Sequence, residues 1–140
     1  MKVLKLYDFS INSELCNVCE SVNNIVDFIL NRYGPVRDDI LFEIKVILNE
    51  LLLNAIIHGN KEDKTKQVKV RTGIENDFVY FIIEDEGEGF DINCCSQPEG
   101  CLDIPDLKES GRGILIVKNL CDKVKYNTRG NKIVVLKKLN

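Results

Sequence analysis

The segment NELLLNAIIHGN, residues 49 to 60, constrains the fold more than any other part of this chain of 140 residues. It closes an apolar pattern with helical spacing that runs from about Val36 to His58 and stops at Gly59-Asn60. On a helical wheel the apolar residues share an arc of about 100°. Such a face is stable only when another layer of secondary structure covers it.

The same helix carries a row of polar side chains directly beside its apolar face. An unpaired carboxylate walled by hydrocarbon is costly unless it has a partner, a metal or a ligand. By itself the row fits a satisfied structural network as well as it fits a binding site. Its members fall within about 80° of one another on the wheel and are Glu43, Glu50, Asn54 and His58.

The segments before this helix predict a strand and another helix. Residues 2 to 9 suggest an edge strand, and apolar residues recur at helical spacing from Leu15 to Leu30. Ser10 or Asn12 is the predicted cap of that first helix, which should end at the break formed by Gly34-Pro35.

The segments after this helix predict strands around a long loop. Two helices and these strands favour a sheet covered on one face by helices. The predicted elements are a hairpin of residues 67–74 and 77–85, a loop between Gly87 and Gly113, a helix at 114–124 and a closing hairpin of 123–128 and 132–138.

Composition narrows the class of protein. With 44% hydrophobic and 29% charged residues, residues 1–140 are predicted to form a single domain. A net charge of −3 lacks the basic surface that binds nucleic acid, so no direct nucleic-acid partner is expected. No apolar run is long enough for a membrane span and the first residues lack signal-peptide features, which predicts a cytoplasmic protein with no membrane contact. The six cysteines are expected to be free thiols.

A second motif, EDEGEGFD at residues 84 to 91, follows an apolar strand. Glycines at Gly87 and Gly89 let backbone approach a flat ligand, and Asp85 can accept a hydrogen bond from an exocyclic amine such as that of adenine. Alone, the same residues would also suit a tight turn that leaves a strand.

A third motif, ESGRGILIVKNL at residues 109 to 120, places two glycines at the start of a helix. Free backbone amides at Gly111 and Gly113, with Arg112 between them, form a favourable site for an anion. Alone, the segment could equally be an ordinary helix cap. Neither glycine pair completes a dinucleotide GxGxxG, and the chain contains no P-loop motif.

Together and in this order, the three motifs resemble the GHKL ATPase superfamily, whose members include gyrase, heat-shock chaperone, histidine kinase and mismatch-repair ATPases. NELLLNAIIHGN is similar to its N box, DEGEGF to its G1 box and SGRGI to its G2 box. The resemblance covers about residues 36 to 137. It implies the Bergerat ATP-binding fold, an α+β, two-layer α/β sandwich with a mixed, mostly antiparallel sheet covered on one face by helices.

Within the superfamily, the phrases NEL..NAI.HGN, DEGEGFD and SGRGI..VKNLCDKV resemble the anti-sigma factor serine kinases of bacterial partner-switching systems. That resemblance implies an ATP-dependent serine/threonine protein kinase that phosphorylates an anti-sigma antagonist protein and sequesters a sigma factor. A nucleotide-gated protein-binding module without kinase activity is the alternative. The family commonly forms homodimers, and the apolar positions Leu53 and Ile56 are compatible with a covered surface.

The resemblance also implies roles for the residues of the first two motifs. Asn54 would hold Mg²⁺ through its side-chain oxygen, and Glu50 would act as the general base. Asp85 would bind the adenine amino group, Gly87 would let the base approach, and Gly89 would act as a hinge.

In the third motif, Gly111 and Gly113 would present backbone amides to the phosphates, with Arg112 and Lys108 neutralising charge. The chain departs from the family at the last hairpin, where Asn131 stands in place of a threonine that supports the adenine-binding aspartate through water. His58 is left with two possible roles, facing the ribose or capping the helix end.

Overall fold

A computed structural model describes residues 5–87, 115–127 and 130–140 of the chain. Its strands are β1 (Lys5–Asn12), β2 (Gln67–Glu75), β3 (Phe78–Glu84), β4 (Lys123–Tyr126) and β5 (Lys132–Lys138). They form one sheet in the order β1-β2-β3-β5-β4. Every neighbouring pair of described strands is antiparallel. The sheet was predicted to be mixed and mostly antiparallel, and the described strands contain no parallel pair.

The helices of the described residues are α1 (Cys16–Arg32), α2 (Asp38–Leu53) and a short α3 at 115–120. The break after α1 was predicted correctly: Gly34 has φ 116°, a value that glycine adopts without strain. Helix α2 does not stop at Leu53, because it continues as a π-helical turn over Asn54–Gly59. None of the helices in these ranges is long and apolar enough to cross a lipid bilayer.

The predicted cap of α1 was wrong. The residue before the helix is Leu15, and its side chain makes no capping hydrogen bond. Ser10 and Asn12 belong instead to β1, which extends past the predicted end of the strand. Pairing of β1 with β2 therefore uses the residues that the sequence pattern assigned to the start of the helix.

The helices and one face of the sheet share a single apolar core. In β2 and β3 alternate residues are buried, which is the pattern of strands covered on one side only. Val70 lies opposite Ile83 and Ile83 opposite Ile133, and these strand residues pack in one cluster with α1 and α2. The predicted α+β sandwich is confirmed.

The expectation that Leu53 and Ile56 are apolar outer positions compatible with a covered surface was wrong for Ile56. Ile56 is fully buried in the core of its own chain, and Leu53 is partly buried against that core. The reason is the π-helical turn: a wider turn rotates each successive residue through a smaller angle than an α-helix does, which carries Ile56 toward the core. The homodimer prediction therefore loses the support of these two residues.

Three cysteines of the described residues, Cys16, Cys19 and Cys121, are free thiols. Burial raises the pKa of the Cys121 thiol to about 12, whereas Cys16 and Cys19 are exposed. We expect iodoacetamide at pH 8 to modify Cys16 and Cys19 in the native protein and to spare Cys121, because the thiolate is the reactive form. Peptide mapping by mass spectrometry checks this, and modification of Cys121 at the rate of Cys16 would contradict it.

The same shift in pKa has a consequence for stability. An unfolded Cys121 would lose its proton near its ordinary pKa of 9.0, whereas the folded thiol keeps its proton up to about pH 12. The unfolded state therefore binds fewer protons above pH 9, and the contribution of this group to the free energy of unfolding falls as the pH rises through that range.

Candidate functional site

The site is built around the wide turn that follows α2. The backbone N–H of Asn60 donates to the carbonyl oxygen of Ala55, five residues back, at 2.8 Å. Lys61 and Glu62 then take left-handed conformations, with φ of 54° and 57°, and turn the chain toward β2. Single π-helical turns within helices occur frequently at functional sites. Here the turn brings the end of the helix against the residues that follow β3.

Gly59, at the end of that turn, lies directly against the carboxylate of Asp85. A Cβ atom on Gly59 would sit 2.3 Å from both Cγ and Oδ2 of Asp85. A Cβ atom on Gly87 would lie 2.0 Å from the carbonyl oxygen of Gly59, and the Gly87 N–H donates to Asp85 Oδ1 at 2.8 Å. The helix end thus packs closely against Asp85–Gly87, which we call the DEG turn: a Cβ atom at Gly87 would collide with backbone, and one at Gly59 would displace the Asp85 carboxylate.

The main chain of Asp85 is held by the closing hairpin. Its N–H donates to the carbonyl oxygen of Asn131 at 2.9 Å, and Asn131 Nδ2 donates back to the Asp85 carbonyl oxygen at 2.9 Å. Asn131 Oδ1 accepts a hydrogen bond from Asn127 Nδ2 at 2.9 Å. Asn131, which replaces the threonine expected from the resemblance, thus bonds the backbone of the aspartate.

Glu50 and Asn54 lie one helical turn apart on α2 and its continuation, and both are half-buried. Within the described part of the chain, neither side chain has a hydrogen-bond or ion-pair partner. No polar atom of either side chain is both fully buried and unpaired, so these atoms are open to solvent and to a ligand. A carboxylate and an amide oxygen of this kind are suited to a hydrated cation or a bound polar ligand.

The polar row of the sequence divides into separate parts in the structure. Glu43 Oε1 accepts a hydrogen bond from Lys137 Nζ at 2.5 Å, and Lys137 Nζ also donates to the Leu120 carbonyl oxygen at 2.6 Å. Glu43 is therefore a structural residue that ties α2 to β5 and α3. His58, at the other end of the row, is exposed.

The remaining predicted site residues, Gly89, Gly111, Arg112 and Gly113, together with Lys108, lie outside the described residues. Their roles stay predictions. The described part of the next helix, α3, begins at residue 115 and buries Val117 in the core. The helix predicted to follow the third motif is thus present.

Two open grooves on the described residues lie away from this site. One, of about 550 Å³, is lined by Tyr7 and Phe28 and by polar residues of α1. The other, of about 350 Å³, lies on the sheet face that α1 and α2 leave uncovered. Neither is lined by Glu50, Asn54 or Asp85, so groove size alone does not identify the site among the described residues.

Nearly the whole chain matches one known protein family. The sequence model of one family, the histidine kinase-like ATPase domain, matches residues 14–137, a range that contains all three motifs. The chain belongs to the histidine kinase-like ATPase family. The resemblance inferred from the N box, G1 box and G2 box is confirmed. In this family member α2 and the Gly59–Asp85 contact form the framework of the candidate site.

Relatives with similar sequences include serine-protein kinases and anti-sigma F factors. The chain is 32% identical over 117 residues to the serine-protein kinase RsbW of Bacillus subtilis (strain 168), covering 80% of this chain and 72% of that relative. It is 39% identical over 107 residues to the anti-sigma F factor of Geobacillus stearothermophilus, covering 74% of this chain and 72% of the relative. These similarities confirm the predicted resemblance to the anti-sigma factor serine kinases.

Proposed function

We propose that this histidine kinase-like ATPase binds ATP with Mg²⁺ and phosphorylates a serine of an anti-sigma antagonist protein, and that it sequesters a sigma factor. One observation carries the proposal: Glu50 and Asn54 are half-buried without a partner among the described residues, on the helix whose end packs against Asp85. The names of the relatives, a serine-protein kinase and anti-sigma F factors, support the substrate and partner classes.

The base of the nucleotide is proposed to bind at Asp85. A carboxylate accepts hydrogen bonds only, so it suits the amino group of adenine and not the carbonyl group that guanine carries at the same ring position. Gly59 and Gly87 let two backbone segments close around this carboxylate. From Gly59 the π-helical turn leads back by five residues to Asn54, which would place the phosphates toward Asn54 and Glu50.

Asn54 is the proposed protein ligand of Mg²⁺. The ion prefers oxygen ligands, keeps several waters and is commonly held by few protein groups together with phosphates. A half-buried amide oxygen without a partner among the described residues fits that requirement. When bound, Mg²⁺ would neutralise charge on the phosphate oxygens. Gly111, Arg112 and Gly113 are proposed to contact the same phosphates through backbone amides and the guanidinium group.

Glu50 is the proposed general base. The serine oxygen of the partner protein forms a bond to the γ-phosphorus while the bond from that phosphorus to the bridging oxygen of ADP breaks. The proton of the serine hydroxyl passes to the Glu50 carboxylate. Glu50 lies one helical turn from Asn54, so the base and the cation ligand would act on adjacent parts of one triphosphate.

A homodimer, a cytoplasmic location and a role in the regulation of transcription complete the proposal. The role in transcription is supported by the name of the anti-sigma F factors, whereas the homodimer and the cytoplasmic location are proposed from the sequence alone. Binding to a sigma factor would affect transcription without direct contact with DNA.

Phosphoryl transfer is the test of the proposed activity. The protein would be incubated with γ-labelled ATP, Mg²⁺ and candidate antagonist proteins, and label is expected on a serine of one of them. If an antagonist binds in the presence of ATP and stays unlabelled, the protein is not a kinase for it. That result would favour the alternative, a nucleotide-gated binding module of the same fold.

A further inference from the structure

Asn60, the residue after the π-helical turn, is an asparagine in the protein interior with only 1% of its surface exposed. Its Nδ2 donates to Ser13 Oγ at 2.8 Å and to the Gln67 carbonyl oxygen at 3.0 Å. Its Oδ1 accepts the backbone N–H of Glu86 at 2.8 Å. Both hydrogens and the oxygen of the amide are therefore used, as burial of such a group requires.

The bond to Glu86 acts on the peptide group that directly follows Asp85. The carbonyl oxygen of this peptide belongs to Asp85 and accepts from Asn131 Nδ2 at 2.9 Å. Its N–H belongs to Glu86 and donates to Asn60 Oδ1. The C=O and N–H groups of a trans peptide lie in one rigid plane and point in opposite directions. Asn60 and Asn131, which we call the asparagine clamp, thus hold this plane from both sides.

The clamp connects parts of the chain that are distant in sequence. Asn60 belongs to the end of the N-box helix, and Asn131 belongs to the closing hairpin. Ser13, which accepts from Asn60, donates through its hydroxyl to the Lys66 carbonyl oxygen at 2.8 Å. The orientation of the Asp85–Glu86 peptide is therefore determined by the same contacts that close the π-helical turn and start β2.

We infer that Asn60 is a positioning residue for base recognition, acting with Asn131 through the asparagine clamp. The inference rests on the proposed function. The Asp85–Glu86 peptide leads to Gly87, whose N–H donates to Asp85 Oδ1 at 2.8 Å, so the orientation of this peptide determines where the donor that holds the Asp85 carboxylate lies. Rotation of the peptide plane would displace the Gly87 N–H and let the carboxylate turn away from the adenine amino group, without removing Asp85 from the site. The clamp thus determines the preference for adenine over guanine.

The test compares affinities for ATP and GTP, measured by calorimetry in the full chain. Asn60→Ala removes the acceptor of the Glu86 N–H. We expect ATP to bind about 10- to 100-fold more weakly, because the hydrogen bond between the adenine amino group and the charged Asp85 carboxylate is then lost. Binding of GTP should stay within a few fold. The ATP/GTP preference therefore falls by the same factor, which a purely structural role of Asn60 would not produce.

Two further variants separate orientation from stability. Asn60→Asp keeps an acceptor oxygen for the Glu86 N–H and loses the donor to both Ser13 Oγ and the Gln67 carbonyl oxygen, so it should be less stable yet retain most of the ATP/GTP preference. Val22→Ala truncates a core residue of α1 away from the site and should lower the melting temperature with an unchanged preference. If Asn60→Ala does not fold, Asn131→Ala removes the other side of the clamp and must show the same loss.

The outcomes distinguish this inference from the proposed function. If the unaltered protein does not bind ATP, or binds ATP and GTP equally, the proposed nucleotide site itself is wrong. If the unaltered protein prefers ATP and Asp85→Asn abolishes that preference, the site is correct. In that case an unchanged ATP/GTP ratio in folded Asn60→Ala or Asn131→Ala would overturn the role of the clamp alone.

Discussion

Replacement of Glu50 by glutamine is expected to reduce phosphoryl transfer by about 10²- to 10⁴-fold, the usual contribution of a general base. Glutamine has nearly the same shape and can still accept a hydrogen bond, but it cannot take the proton of the serine hydroxyl. Because Glu50 has no partner among the described residues, its replacement should leave the fold and ATP binding within a few fold of the unaltered protein. Single-turnover transfer of labelled phosphate, beside calorimetric titration with ATP, measures both effects.

Glu43 provides the matched control for this experiment. It is a carboxylate two turns earlier on the same helix, and its partner is Lys137. Glu43→Gln should lower the melting temperature, because it replaces the ionised partner of a nearly buried lysine, and should leave the transfer rate per folded molecule unchanged. Equal losses of transfer in Glu43→Gln and Glu50→Gln, or no loss in Glu50→Gln, would contradict the assignment of the base.

Replacement of Gly59 by alanine is expected to weaken ATP binding by about 100-fold or more. The added methyl group would stand 2.3 Å from the Asp85 carboxyl carbon, well inside contact distance. Either the Asp85 carboxylate rotates away from the base or the helix end moves. In both cases the hydrogen bond to the adenine amino group is distorted, and a small misplacement of a binding group lowers affinity strongly. Overpacking of this kind also costs about 1–3 kcal/mol of stability. Calorimetry with ATP and thermal unfolding would report the two effects separately.

Gly34→Ala is the control for a glycine replacement that affects stability alone. A Cβ atom at Gly34 would meet no atom within 4 Å, but its φ of 116° strains any other residue. We therefore expect a lower melting temperature and unchanged ATP affinity. If Gly59→Ala binds ATP as tightly as Gly34→Ala does, the contact between the helix end and Asp85 is not part of the nucleotide site.

The sequence predicted those features that depend on local patterns. The alternation in β2 and β3 and the turn residues between them predicted the hairpin, and Asn76 at its turn has a left-handed φ of 55°. The apolar face of α2 predicted the core. Asn54 and Asp85 came from motifs with a fixed order along the chain, so the approach to Asp85 of the helix end that follows Asn54 could be anticipated.

Features that depend on distant contacts were not predicted. Glu43 is 94 residues from Lys137 in sequence, and nothing local separates its structural role from the role proposed for Glu50. Gly59-Asn60 was interpreted as an ordinary helix end, since the π-helical turn leaves no sequence pattern of its own. The importance of Gly59 and Asn60 emerges only when the DEG turn and the closing hairpin are placed beside them.

Calorimetric titration with ATP and Mg²⁺, beside Asp85→Asn and Asn54→Ala, tests the central claim most directly. The unaltered protein should bind ATP with a dissociation constant on the order of micromolar, about 8 kcal/mol of binding free energy. Asp85→Asn should lose this binding, and in Asn54→Ala binding should become weak or independent of Mg²⁺. Absence of binding by the unaltered protein, or equal affinities in all three proteins, would contradict a nucleotide site at Asp85 and Asn54.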